Sequence, residues 1–309
     1  MHKRIVPGPG AGSVRMSHGI FGPKCPGKCY VPQALVYAPK DIWMTTRTRF
    51  MTAAALTLAL FAGLGSRADA APCGNGPGGF EGWKQAFSGE ARAKGVGAAG
   101  ISALMGTTYA QATINADRSL HSFKLSLDQF LAKRGAPAIV ARGRSLKRSQ
   151  GALFSSIEAR YGVPAGPLIA IWGMESGFGS QRGNQNMLSS IATLAYDCRR
   201  PDYFTDQLYS ALQLIDRGTL SGSQRGSMHG EVGQTQFLPK NIAAYGVGNL
   251  ETPSGALNST ANFLKAHGWR AGAGYQPGEP NFAAIEAWNA AQVYQKAIAL
   301  MGRQIDGGE

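Results

Sequence analysis

Apolar residues recur three or four places apart along most of the chain between residues 80 and 305. That spacing puts side chains on one face of an α-helix, whereas runs alternating every second residue, the mark of half-buried strands, are few. Phe80, Trp83, Phe87 and Ala91 mark one helix. Phe123, Leu127, Phe130 and Leu131 share a face of another, and Leu146, Leu153, Ile157 and Tyr161 fall seven or four apart within 138–161. Segments 188–196 and 204–215 read as a helical pair split by Arg199, Arg200 and Pro201, and 256–267 and 282–305 as closing helices. No fixed repeat and no low-complexity linker follows residue 80. The pattern predicts one all-α domain over 71–309, with the Gly-rich stretches 177–186 and 222–233 as loops and room for a cleft between two lobes.

The region before that domain has a different character. Residues 44–70, MTTRTRFMTAAALTLALFAGLGSRADA, carry the three parts of a secretory signal: basic Arg47 and Arg49, an apolar run over 51–64, and a small-x-small site at Ala68, Asp69 and Ala70. The run falls short of the ~20 residues a membrane-spanning helix needs. The alternative is a buried core helix. A periplasmic or secreted protein starting near Ala71 is expected. Met44 then reads as the working start, and the Gly/Pro-rich residues 1–43 as an over-extended reading frame or a disordered tail. Cys25 and Cys29 within it make half a metal site with no second pair to complete it. Removing the leader leaves Cys73 and Cys198, and two cysteines in an exported chain favour one disulfide. Ala71 and Pro72 before Cys73 do not make a lipobox, so acylation of Cys73 is not expected.

The formal charge of +13 misleads if read for the whole chain. Residues 1–70 hold nine of the 31 Lys/Arg and two of the 18 Asp/Glu, so 71–309 keep a surplus of only 6. Such a surplus steers a protein towards an anionic polymer or surface. No basic helix with interleaved aromatics supports nucleic acid as that polymer.

The most informative segment is 162–180, GVPAGPLIAIWGMESGFGS. Pro167 suits a first helical turn. Leu168, Ile171, Trp172 and Glu175 follow at i, i+3, i+4 and i+7, which puts a carboxyl group on the apolar face, and Gly177 and Gly179 stop the helix just beyond it. A carboxyl group flanked by aliphatic and indole surface has its pKa raised, and a protonated carboxyl near neutral pH can donate to a leaving oxygen. The plainer alternative is a glutamate at a helix end that tips into solvent.

The segment IWGMESGFGSQRGNQNMLSSIATLAYDCRR resembles the catalytic-glutamate region of lytic murein transglycosylases of the membrane-bound B type, glycoside hydrolase family 103. Three further blocks follow in the same order: GSMHGEVGQTQFLPKNIAAYGV at 226–247, STANFLKAHGW at 259–269 and AWNAAQVY at 287–294. The resemblance spans residues 80–306. It implies a lysozyme-like helical core with a glycan-binding cleft, and peptidoglycan glycan strands as partner. It implies cleavage between N-acetylmuramic acid and N-acetylglucosamine with formation of a 1,6-anhydro end. Glu175 would act as both acid and base, assisted by the substrate's acetamido group. By motif position Ser227, Gln234, Gln236, Phe237, Trp288, Asn289 and Tyr294 would bind substrate, with Phe237 and Trp288 equally readable as core aromatics. Phe178 reads as packing.

Glu231 is the one acid in the second block, where the family pattern usually has an uncharged residue. It reads as a solvated loop charge, and its alternative role is that of second carboxylate in a water-using, lysozyme-like hydrolase. A non-catalytic wall-binding protein is the reading from another class. Residues 246–255, GVGNLETPSG, lack the alternating oxygen ligands of a calcium loop, so no metal or other cofactor is expected. A monomer with peripheral association to the envelope completes the expectation.

Overall fold

The computed structural model describes residues 71–119 and 125–308. The signal-like segment, the residues before it, Cys25, Cys29 and Phe123 lie outside these.

The all-α expectation holds. A short 3-10 turn, Pro77–Gly79, leads into α1 (Phe80–Ala93), α2 (Ala98–Met105), α3 (Gln111–Arg118), α4 (Leu127–Arg134), α5 (Ala136–Ser149), α6 (Gly151–Tyr161) and α7 (Ala165–Ser176). Then come α8 (Met187–Tyr196), α9 (Pro201–Asp216), α10 (Pro239–Tyr245), α11 (Pro253–Ala266), α12 (Phe282–Trp288) and α13 (Gln292–Asp306). Two-residue strands β1 (Gln185–Asn186) and β2 (Arg225–Gly226) pair antiparallel and tie the two Gly-rich loops together. Among the described residues no helix is long and apolar enough to cross a membrane.

Two segments read as continuous are broken. Helix stops at Ser149 and restarts at Gly151, because Gln150 leaves helical geometry at φ −113° and ψ 28°. The closing helix breaks between Trp288 and Gln292. There Asn289 is extended, and its Oδ1 accepts from the Ala291 N–H, supplying locally what a helix would have supplied. The second break positions the site, since it turns Trp288 and Tyr294 towards Glu175.

The central element is α7. Eleven of its twelve residues are buried and Glu175 is partly so, which leaves the helix no polar face. Fully buried Leu168, Ile169 and Ile171 each contribute about 1.5–3 kcal/mol of apolar burial. α7 packs most extensively against α13 and also against α5. The α7–α13 crossing is close enough to require glycine: a Cβ on Gly166 would stand 2.2 Å from the carbonyl oxygen of Gly302. A buried helix start needs a partner for its orphan N–H groups. Asp306 on α13 supplies one, accepting from the Gly166 N–H at 2.9 Å and holding Lys147 and the Tyr275 hydroxyl as well.

Ahead of α1, Cys73 and Cys198 form a disulfide with Cα atoms 5.0 Å apart. Beside it the Gly74 N–H donates to the Tyr196 carbonyl oxygen at 2.9 Å. The start of the described chain is thus fastened to the end of α8.

Candidate active site

Glu175 lies in the last turn of α7, and the way that helix ends aims it. Gly177 takes the left-handed conformation at φ 56°, and the Phe178 N–H reaches back to the Trp172 carbonyl oxygen, a Schellman-type stop. Phe178 itself sits at φ 62°, rare for a residue with a side chain. Its ring packs edge-on against Trp172 at 5.4 Å and under the Arg142 guanidinium at 5.0 Å. The packing reading of Phe178 fits this position.

The Glu175 carboxyl opens onto a cleft of about 340 Å³, whose walls include Glu231, Gln236, Phe237, Trp288 and Asn289. The Trp288 indole Nε1–H donates to Glu175 Oε1 at 2.9 Å, and the Tyr294 hydroxyl also donates to this carboxyl group. Burial dominates its electrostatics and pushes its pKa up to about 7; the two hydrogen bonds and the Arg134 charge pull down against it, and the Glu231 charge adds to the rise. Arg134 stands over the rings of Phe130 and Tyr294 at 5.4 and 5.7 Å. Burial, with Glu175 beside it, raises the Tyr294 hydroxyl well above the ordinary tyrosine value, so it stays a donor. The cleft therefore holds a carboxylic acid that is protonated for much of the time near neutral pH, with donors ready to hold its anion.

The other expected site residues divide into three groups. Gln236, Phe237, Trp288 and Asn289 line the cleft. Phe237 and Trp288 meet edge-on at 5.5 Å, so they are wall and core together. Gln236 holds a left-handed backbone at φ 54° and is anchored through its amide to the Gly233 carbonyl oxygen. Tyr294 is behind the wall and touches Glu175 rather than the open cleft.

Ser227 and Gln234 are placed differently from the expectation. The Gln234 carboxamide is spent inside the protein, accepting from the Trp172 Nε1–H at 2.9 Å and donating to the Glu251 carbonyl oxygen at 2.6 Å. With Ser176 Oγ donating to its backbone carbonyl, Gln234 clamps the 232–237 loop to the end of α7. The Ser227 hydroxyl is likewise occupied: it donates to Glu231 Oε2 at 2.7 Å and accepts from the N–H groups of His229 and Glu231 at 3.1 Å. Glu231, read from the sequence as a solvated loop charge, is brought into the cleft. It is half-buried, and it lines the cleft with Glu175. Tyr203 and Asn241 also line it and carried no sequence signal.

Among the described residues no group of three or more His, Cys, Asp or Glu could hold a metal ion. In the 246–255 loop the Glu251 carboxylate is engaged by Arg182 at 2.8 Å and by Gln224 at 3.1 Å.

Residues 79–279 match the family described as Transglycosylase SLT domain. Membrane-bound lytic murein transglycosylase B of Escherichia coli (strain K12) is 34% identical over 137 residues, covering 39% of this chain and 38% of that protein. The matched part is thus well under half of that relative's length. SltB3 from Pseudomonas aeruginosa, solved in complex with NAG-anhNAM-pentapeptide, superposes with a TM-score of 0.68 at 30% identity, covering 74% of this chain and 80% of that one. Soluble lytic transglycosylase SltB1 from the same organism shares the fold, with a TM-score of 0.65 at 21% identity over 72% of this chain and 97% of that one. Trp288, Asn289 and Tyr294 fall just beyond the family match, although they complete the cleft around Glu175. On a match over residues 79–279, the chain belongs to the Transglycosylase SLT domain family.

Proposed function

We propose that this protein is a peptidoglycan lytic transglycosylase whose acid and base are one group, Glu175. The observation that carries the reading is a carboxyl group at the end of a buried helix, raised to about 7 by burial and held by Trp288 and Tyr294 beside an open cleft of about 340 Å³. Relatives bring the substrate class: one is named a lytic murein transglycosylase, and SltB3 was solved with NAG-anhNAM-pentapeptide and with NAG-NAM-pentapeptide. In the proposed reaction Glu175 protonates the glycosidic oxygen between N-acetylmuramic acid and N-acetylglucosamine. The substrate's acetamido oxygen supports the anomeric carbon as that bond breaks. The Glu175 carboxylate, stabilised by its two donors, then takes the proton of the muramic C6 hydroxyl as that oxygen closes onto C1. The leaving oxygen and the C6 hydroxyl occupy the same side of the sugar in turn, so one carboxyl group serves both steps. Digestion of purified peptidoglycan should release muropeptides one water lighter than reducing-end products, read by mass spectrometry. Full-mass reducing ends would count against the reading.

One observation favours a second reading. Glu231 shares the cleft, and two carboxyl groups flanking a glycosidic bond are what a hydrolase uses.

The protein acts outside the cytoplasm in this proposal, as a monomer at the envelope. The signal-like segment and the disulfide both support export. Protein recovered from the exporting cell is expected to begin near Ala71. N-terminal sequencing that finds Met1 retained would remove the export proposal.

A further inference from the structure

Glu175 alone carries the proton transfers proposed above, and that leaves a second carboxylate in the same cleft without a task. Glu231 is not a loop residue that happens to fall there. The β1–β2 ladder ends at Gly226, and Ser227 and Glu231 close a tight turn immediately after it, with the Ser227 N–H donating to the Glu231 carbonyl oxygen at 2.9 Å. A Cβ on Gly226 would stand 2.5 Å from that same oxygen, so the turn needs glycine there. The Ser227 hydroxyl both accepts from the Glu231 N–H and donates to Glu231 Oε2. One carboxylate oxygen is thereby fixed. Among the described residues no hydrogen bond reaches the other, Oε1, and the side chain lines the cleft with Glu175, Gln236 and Trp288. A rigid, half-satisfied acceptor in a substrate cleft is pre-organised to receive an N–H or O–H from the substrate.

We propose that Glu231 is a second catalytic residue, whose carboxylate accepts the N–H of the substrate's 2-acetamido group and turns the acetamido oxygen onto the anomeric carbon. The proposal rests on the lytic transglycosylase reading. Its chemistry follows from where charge develops. As the acetamido oxygen bonds to C1, the C1–O bond to the leaving sugar breaks and Glu175 gives its proton to the departing oxygen. The amide becomes an oxazolinium cation, and its N–H becomes a far stronger donor. A carboxylate already paired with that N–H gains a charge-assisted hydrogen bond only as the cation forms, which is the condition for catalysis. The C6 hydroxyl oxygen then bonds to C1, the oxazolinium C1–O bond breaks to restore the acetamide, and the hydroxyl proton passes to the Glu175 carboxylate. Both glutamates end as they began. Ser227 is then a positioning residue that holds Glu231, not a direct ligand of the sugar.

The test compares Glu231→Gln and Glu231→Ala with the wild-type protein on isolated glycan strands. It adds the binding of a thiazoline sugar, a stable mimic of the ring-closed acetamido group, and a thermal melt of each variant. Both variants are expected to lose about 10²-fold in kcat, the size of effect seen when one pre-organised partner of developing charge is removed. KM should change by less than about threefold, and thiazoline affinity should fall at least about tenfold, while a merely structural residue would move the melt and not the mimic. If the alanine variant does not fold, the isosteric glutamine variant decides. Wild-type kcat and thiazoline affinity in a folded variant would overturn the proposal while leaving anhydro products, and so the transglycosylase reading, intact. Wild-type products carrying water at the reducing end, lost in Glu231→Gln, would overturn both by making Glu231 a base for water.

Discussion

Glu175→Gln is expected to fold and to lose about 10³-fold or more of kcat on peptidoglycan, within the range general acid–base catalysis supplies. The amide fills the same space and can still meet the Trp288 indole, but it can neither release a proton to the glycosidic oxygen nor take one from the C6 hydroxyl. A folded variant turning over at the wild-type rate would remove Glu175 from the mechanism. The proposed acid role predicts a pH limb in the wild-type protein, with kcat falling as pH rises through about 7. Stability responds in the opposite sense to that of an ordinary paired carboxylate. The folded value of about 7 lies above the ordinary value of 4.5, so the unfolded chain loses its proton first. Burying the group costs nothing below about pH 4.5, and the cost grows as pH rises and is complete above about 7, reaching on the order of 3 kcal/mol. Glu175→Gln should therefore melt higher than wild type at pH 8 and equally at pH 4. An unchanged difference across that range would show that the carboxyl group is not strained by burial.

Cys73→Ser is expected to cost about 2–5 kcal/mol, which for a domain of this size lowers the melting temperature by roughly 5–15 °C. The two cysteines are 125 residues apart, so the bridge removes a long loop's freedom from the unfolded chain. It also fastens the segment that carries Gly74 against Tyr196, whose ring meets Phe80 and Trp83 at 5.6 Å. Reduction of the wild-type protein should reproduce the variant's loss. A variant and a reduced protein that both melt with the oxidised wild type would show the disulfide to be dispensable.

The helices were legible because their apolar spacing survives in one dimension, and Glu175 because glycines at 177 and 179 stop its helix on the turn that carries it. The breaks at Gln150 and Asn289 were not, since neither residue is a Pro or Gly and each leaves the helix through a local conformation that periodicity does not record. Spacing also marked α7 as one-faced, whereas the fold surrounds it with α5 and α13 and buries it on all sides, Glu175 in part. The second cleft block was legible as a block and misleading by residue. Which of Ser227, Glu231, Gln234 and Gln236 faces the substrate depends on a turn closed by Ser227 and on Gln234 bridging Trp172 to Glu251, and both are contacts between distant stretches or across a loop. Tyr203 and Asn241 reach the cleft from α9 and α10 for the same reason.

In the proposed reaction one carboxyl group breaks the glycosidic bond and closes the ring without water entering. Digestion of purified peptidoglycan in oxygen-18 water tests it most directly. Anhydro-muramic ends free of label are the predicted product, because the oxygen that reaches C1 comes from the sugar's own C6 hydroxyl. Reducing ends carrying one oxygen-18 as the main product would contradict the claim and make the Glu175–Glu231 pair the machinery of a hydrolase.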